Sequence, residues 1–207
     1  MKKMIGVALL ALAAPMFAGS IAFDDFSLPQ GPLTASSSDG PVDIGGGIFR
    51  TLTLTTLGNV PPVQYTTQVA AGLLDITNGT GDDSQVIITY DLPLLAIPMG
   101  ATNVQFFFTI VQSDGNPTQV AFGGVLGSGG TVNIPGNTLN QVIGFAITPP
   151  VGPGQGTITF DGTPGWDLAA DSLGIRWTDP QTGVPEPGSF VLLGLGLAAA
   201  GIISRRR

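Results

Sequence analysis

From residue 23 to about residue 180 the chain has no lysine and no glutamate, and every acidic side chain there is aspartate. This constrains the fold more than any motif does. Glutamate and lysine are the usual residues of exposed helix faces. Aspartate bonds nearby backbone amides and favours turns. A stretch of this length with aspartate alone is poorly suited to helices and well suited to strands joined by polar loops. Thirteen Asp stand against two Arg, so the segment carries a net charge of −11.

The hydrophobic pattern has the period of a strand. Leu52 and Leu54 alternate with Thr51, Thr53 and Thr55, and Ile143, Phe145 and Ile147 with Gly144, Ala146 and Thr148. Ile158 and Phe160 alternate with Thr157, Thr159 and Asp161, and Leu173, Ile175 and Trp177 with Ser172, Gly174 and Arg176. Period two marks a strand with one buried face. The runs 104–110 and 86–90 are more apolar and predict central strands buried on both faces. Segments 63–69 and 118–125 complete a set of about eight to ten strands. Loop chemistry separates them at 78–84, 113–117, 127–130 and 149–156, with 113–117 predicted as a hairpin loop. One domain over 23–180 is expected, a mainly β antiparallel sandwich of jelly-roll type.

Missing residue types exclude several functions. The chain has no Cys and no His. That removes thiol nucleophiles, disulfides, a Ser-His-Asp triad, haem ligation and the usual zinc sites. A net charge of −7 for the whole chain argues against nucleic acid.

Five of the seven basic residues lie at the two ends. Lys2 and Lys3 precede an apolar run from Ile5 to Phe17, and Ser20-Ile21-Ala22 places small residues where signal peptidase inspects them. Residues 1–22 therefore read as a signal peptide cleaved after Ala22. Without a twin arginine, the Sec translocon is the expected route. At the other end a linker, 181–188, contains Pro185-Glu186-Pro187 and leads into the uncharged apolar stretch 189–203 and then Arg205, Arg206 and Arg207. Fifteen helical residues reach only about 22 Å, short of a bilayer core of about 30 Å. The terminal arginines fit the positive-inside rule, and their long side chains extend the span. Residues 189–207 thus read as a transmembrane helix with a basic tail.

This ordered triple resembles the PEP-CTERM sorting signal of exopolysaccharide-producing Gram-negative bacteria. The resemblance implies recognition by an exosortase, a membrane-embedded cysteine protease or transpeptidase. Processing would occur near Pro185-Glu186-Pro187, after transient inner-membrane anchoring, and deliver the protein to the cell surface or extracellular matrix. It also makes Glu186, the chain's one glutamate, a recognition residue rather than a catalyst.

Two candidate sites lie in the segment between. Asp24 and Asp25 open the mature chain and Asp171 opens the last predicted strand. If first and last strands are neighbours, these carboxylates could hold a hard cation such as Ca²⁺. The placement resembles the structural calcium site of jelly-roll carbohydrate-binding modules. Asp82-Asp83 reads as a solvated turn. Trp166 follows Pro164-Gly165 and is a candidate to stack on a sugar, or to plug one end of the sandwich. Trp177 reads as core. The expectation is an exported, non-catalytic surface or matrix protein. An exopolysaccharide-binding module with calcium is the alternative, and a two-carboxylate glycoside hydrolase is a remote third, since no spacing singles out two of the Asp.

Overall fold

The computed structural model describes residues 19–58, 64–127 and 130–179. Among these residues there are thirteen strands and no helix. The first seven are β1 (Gly19–Asp24), β2 (Gln30–Leu33), β3 (Ser37–Gly45), β4 (Ile48–Gly58), β5 (Tyr65–Ala70), β6 (Leu73–Asn78) and β7 (Asp83–Leu92). The rest are β8 (Thr102–Ser113), β9 (Thr118–Gly124), β10 (Thr131–Ile134), β11 (Leu139–Ala146), β12 (Gly154–Gly162) and β13 (Leu168–Thr178). The strands β1, β2, β3, β6 and β10 go beyond those read from the pattern. Most are short or interrupted by Gly and Pro, so they carry little alternation to detect.

The strands form two antiparallel sheets. One has the order β11-β8-β13-β6-β5-β2, with β1 also joined to β13; the other has the order β10-β9-β12-β7-β4-β3. One edge of β13 pairs with β8 along most of its length. Its other edge is shared: Leu168–Ala170 meet β6, and Leu173–Trp177 meet β1. The expected neighbourhood of the first and last strands is therefore present.

Most connections pass from one sheet to the other; β3–β4, β5–β6 and β9–β10 are the hairpins. The 113–117 segment, expected as a hairpin loop, instead carries the chain from β8 in one sheet to β9 in the other. Its local chemistry is that of a turn, with Asp114 Oδ1 accepting from Asn116 N at 3.0 Å. Turn residues set the local bend, whereas strand partners follow from which apolar faces meet across the core.

The core lies between the sheets. In β7, Ser84, Val86, Ile88, Tyr90 and Leu92 are buried and the residues between them are half-buried or exposed. In β8, Val104, Phe106, Phe108 and Ile110 point inward. Both strands are central, but each is buried on one face only, because the molecule has two layers. The outer face of β8 is only half-covered. There Phe107 lies 5.7 Å beneath the Arg176 guanidinium, which donates to Gln105 Oε1. Phe106, Phe108, Phe122, Phe145 and Phe160 form the aromatic centre. Each fully buried large apolar side chain contributes about 1.5–3 kcal/mol, so this layer outweighs any single polar contact of about 1 kcal/mol.

Candidate functional sites

The sequence candidates for a metal do not assemble. Asp24, at the end of β1, is 4% exposed, and its carboxylate is fully engaged. Arg50 Nη1 donates to both oxygens, at 2.8 and 2.9 Å. Tyr90 Oη donates to Oδ2 at 2.6 Å, and Phe26 N to Oδ1 at 2.9 Å. The guanidinium is completed by Gln30 Oε1 at 2.9 Å and the Leu28 carbonyl at 2.5 Å, and it lies 5.6 Å over the Phe26 ring. Burial, then the Asp24 charge, push the Tyr90 phenol well above its ordinary range, so it remains a donor. Asp24 belongs to the first sheet, and Arg50 and Tyr90 sit on β4 and β7 of the second. The cluster is a buried polar tie between the layers, held on both sides by hydrogen bonds.

Asp25 and Asp171 do not join it. Asp25 accepts from the Ser27 amide at 3.0 Å in a local turn, and its hydrogen bonds to Ser27 lower its pKa. Asp171 accepts from Ser172 Oγ at 2.7 Å. Among the described residues no group of three acidic side chains is placed to hold a metal ion. The calcium expectation at Asp24, Asp25 and Asp171 is corrected accordingly: the first carboxylate already neutralises a buried arginine.

Trp166 is wholly buried. Its indole N–H donates to the Ser84 carbonyl at 3.1 Å, and its own carbonyl accepts from Asn78 Nδ2. Asn78 Oδ1 accepts from Ser84 Oγ at 2.6 Å, and Asp167 Oδ1 accepts from Asn78 N at 2.7 Å. Gly162 makes the seat: a Cβ there would lie 2.5 Å from the indole. Trp166 therefore plugs one end of the sandwich and offers no face to a sugar. Asp82, read as a solvated turn residue, is also buried, with Oδ2 accepting from Gln64 N at 2.8 Å. Trp177 is core as expected, 7% exposed, and donates to Asp179 Oδ1.

Two clefts were not anticipated. One, of about 240 Å³, is lined by Asp75, Asp114 and Asp167 among others. Burial, and then the charges of Asp114 and Asp75, raise the Asp167 pKa. These carboxylates serve the loops: Asp114 binds the Asn116 amide and side chain, and Asp167 binds the Asn78 amide. The second cleft, of about 490 Å³, lies on the other sheet and is lined by Pro117, Gln119, Asn133, Asp161, Gly162 and Thr163. Its lining mixes polar side chains with apolar surface from residues such as Pro117, and it carries no aromatic ring.

The sorting residues Pro185, Glu186, Pro187, Arg205, Arg206 and Arg207, the linker 181–188, the expected transmembrane helix over 189–207 and residues 1–18 of the expected N-terminal signal helix lie outside the described residues. Residues 19–22, expected in that signal helix, instead belong to strand β1. Among the described residues no helix is long and apolar enough to cross a membrane. Ala22 is described and pairs with Gly174, as Gly19 does with Trp177. Cleavage after Ala22 would remove four residues of β1 and place a charged α-amino group on Phe23, which is 7% exposed.

Comparison with known proteins bears on the tail and on the fold. A family model described as the PEP-CTERM protein-sorting motif matches residues 183–207. No curated protein matches the chain. Among solved structures, TmCBM61 in complex with β-1,4-galactotriose is similar at 13% identity and a TM-score of 0.38, covering 60% of this chain and 88% of its own. A CBM4 structure is similar at 16% identity and a TM-score of 0.38, covering 62% and 87%. The exo-β-1,3-galactanase Pc1,3Gal43A of Phanerochaete chrysosporium, with galactose, aligns at 13% identity and a TM-score of 0.34, over 76% of this chain and 29% of its own.

Proposed function

We propose that this chain, which carries a PEP-CTERM sorting motif at residues 183–207, is an exported, non-catalytic surface or matrix protein. Its β-sandwich, of jelly-roll type, is held by the C-terminal segment in the inner membrane until an exosortase processes it. The Sec translocon and signal peptidase handle the other end. The observation that carries this reading is the sorting motif itself, following a domain whose best-organised polar groups face inward. Asp24, Arg50, Tyr90, Asn78 and Trp166 are spent on tying the two sheets and closing one end. Deleting residues 184–207 should release the domain to the periplasm or medium. Unchanged membrane retention of the truncated chain would refute the sorting role.

A second reading is favoured by the cleft where Gln119, Asn133 and Asp161 offer hydrogen-bonding side chains. Exopolysaccharide would bind there through hydrogen bonds rather than by aromatic stacking. Pull-down on diverse polysaccharides tests it. Retention lost in Gln119→Ala and Asn133→Ala, with unchanged melting, supports binding; no retention on any polysaccharide leaves the structural role.

A further inference from the structure

The two ends of the sandwich differ in character. At the end where β7 and β12 meet the loops 79–83 and 161–167, and where β8 gives way to 114–117, stand Asp82, Asp83, Asp114, Asp161 and Asp167. The opposite end is formed by the β7–β8 connection, residues 93–101, and the β11–β12 connection, residues 147–153. Neither contains a charged residue. Strands of this length separate the two ends by about 30–40 Å at roughly 3.3 Å per residue.

The 93–101 connection is a built feature. Leu95 N donates to the Val151 carbonyl at 2.9 Å, and Ala101 N to the Pro98 carbonyl at 3.0 Å. Leu95, Ile97 and Ala101 pack on the core. Leu94, just before them, and Met99, between Ile97 and Ala101, are turned to solvent, 60% and 97% exposed. With Pro149 and Pro150 they border an apolar groove of about 600 Å³. Both side chains are largely exposed, so packing within the domain does not account for Leu94 and Met99.

The chain leaves the domain at this same end. Thr178 pairs with Thr102, the residue that follows the 93–101 loop. From Asp179 to Ser189 there are ten residues, which extend to at most about 36 Å, and the Pro pair is among them. On the reading above that residues 189–203 cross the membrane, the end bearing the uncharged 93–101 and 147–153 connections is tethered nearest to lipid and the aspartate-rich end points away. We propose that the 93–101 loop, with Leu94 and Met99 at its crest, seats the domain on the bilayer that the C-terminal segment crosses. An apolar crest backed by a rigid sheet end enters the interface as a wedge. An aspartate-rich end could not, because desolvating its carboxylates is costly. Asp43, Asp91 and Asp179 lie behind the crest and limit how deep it sits.

The test uses the full chain in phosphatidylcholine vesicles. The protein has no native cysteine, so Met99→Cys and, at the acidic end, Gly115→Cys can each carry one environment-sensitive fluorophore. Flotation with the vesicles reports the anchor, and quenching by nitroxide-labelled lipid reports contact with the bilayer. The expected result is flotation of both, with lipid quenching and a blue shift only at position 99. Flotation with equal, weak quenching at both positions overturns the seating and leaves the anchor standing. Protection of position 99 from aqueous iodide without lipid quenching also overturns it, since the loop is then covered by the C-terminal segment or a second copy. Failure to float overturns the anchor reading, and the seating with it. Leu94→Asp, with the fluorophore kept at position 99, should float and melt as before yet lose the lipid quenching; retained quenching would count against the proposal.

Discussion

Arg50 Nη1 lies 2.8 and 2.9 Å from the two carboxylate oxygens of Asp24, and neither side chain reaches solvent. The pair joins the N-terminal strand of one sheet to β4 of the other, and Tyr90 on β7 closes the cluster. Removing one partner strands the other charge, which typically costs about 3–5 kcal/mol. Asp24→Ala should therefore lower the melting temperature by roughly 10 °C, at about 2–4 °C per kcal/mol for a domain of this size. Asp24→Leu combined with Arg50→Met, which removes both charges, should be milder than Asp24→Ala alone. Thermal unfolding followed by circular dichroism decides it, and equal losses would mean that the pair is not coupled.

Tyr90→Phe removes one donor to a buried carboxylate and keeps the ring against Phe23, 5.4 Å away edge to face. A loss of about 1.5–3 kcal/mol is expected for a hydrogen bond to a charged group. Because Tyr90 and Asp24 share one network, Tyr90→Phe in an Asp24→Ala background should cost clearly less than in the native chain. Denaturant titrations of the four variants measure that difference, and strict additivity would contradict the network.

Trp166→Ala should act on stability. Emptying a fully buried indole site costs about 3–5 kcal/mol, and it also frees the Ser84 carbonyl from its indole partner. Any polysaccharide retention measured at a temperature where the variant remains folded should be unchanged. Loss of binding with native melting behaviour would return Trp166 to the surface role that the sequence allowed.

The pH response should carry the mark of two unfavourable carboxylates. Burial, then repulsion from Asp161, raises the Asp83 pKa above 3.8, and burial with the Asp114 and Asp75 charges raises that of Asp167. Between the unfolded and folded values the native state holds more protons, so these two groups make stability fall as pH rises through that window. Their contribution is recovered on acidification toward 3.8. Solvent screening keeps each effect below about 1 kcal/mol. In melting curves from pH 4 to 7, Asp83→Asn should gain at neutral pH relative to the native chain and lose that advantage at pH 4. A pH-independent difference would discount the shift.

The mature N-terminus should lie ahead of Phe23. A Cβ at Gly19 would come within 2.5 Å of the Trp177 ring, so the glycine is fitted to β13, and Ile21 packs against the core. Mass spectrometry of the exported protein reads the first residue directly. A start at Phe23 with undiminished melting would show the paired residues 19–22 to be dispensable.

The sequence by itself was enough for the class of fold and for the sorting motif. The aspartate-only acidic set and period-two runs such as 157–161 follow local backbone rules, and the sandwich accordingly contains both β7 and β12 as strands. The tail is a linear signal, legible without folding and matched as such at residues 183–207. One further clue is legible in the sequence. Arg50 shares the parity of Ile48, Leu52 and Leu54, so its burial was written in the alternation of β4. Only the tertiary structure decided what Arg50 meets there, which strands pair, and that Trp166 faces inward. It also decided that Asp24 neutralises an arginine instead of binding a cation. These outcomes depend on residues dozens of positions apart reaching the same few cubic ångströms. Periodicity tells which face of a strand is buried, whereas the packing of two sheets selects the partner across the core.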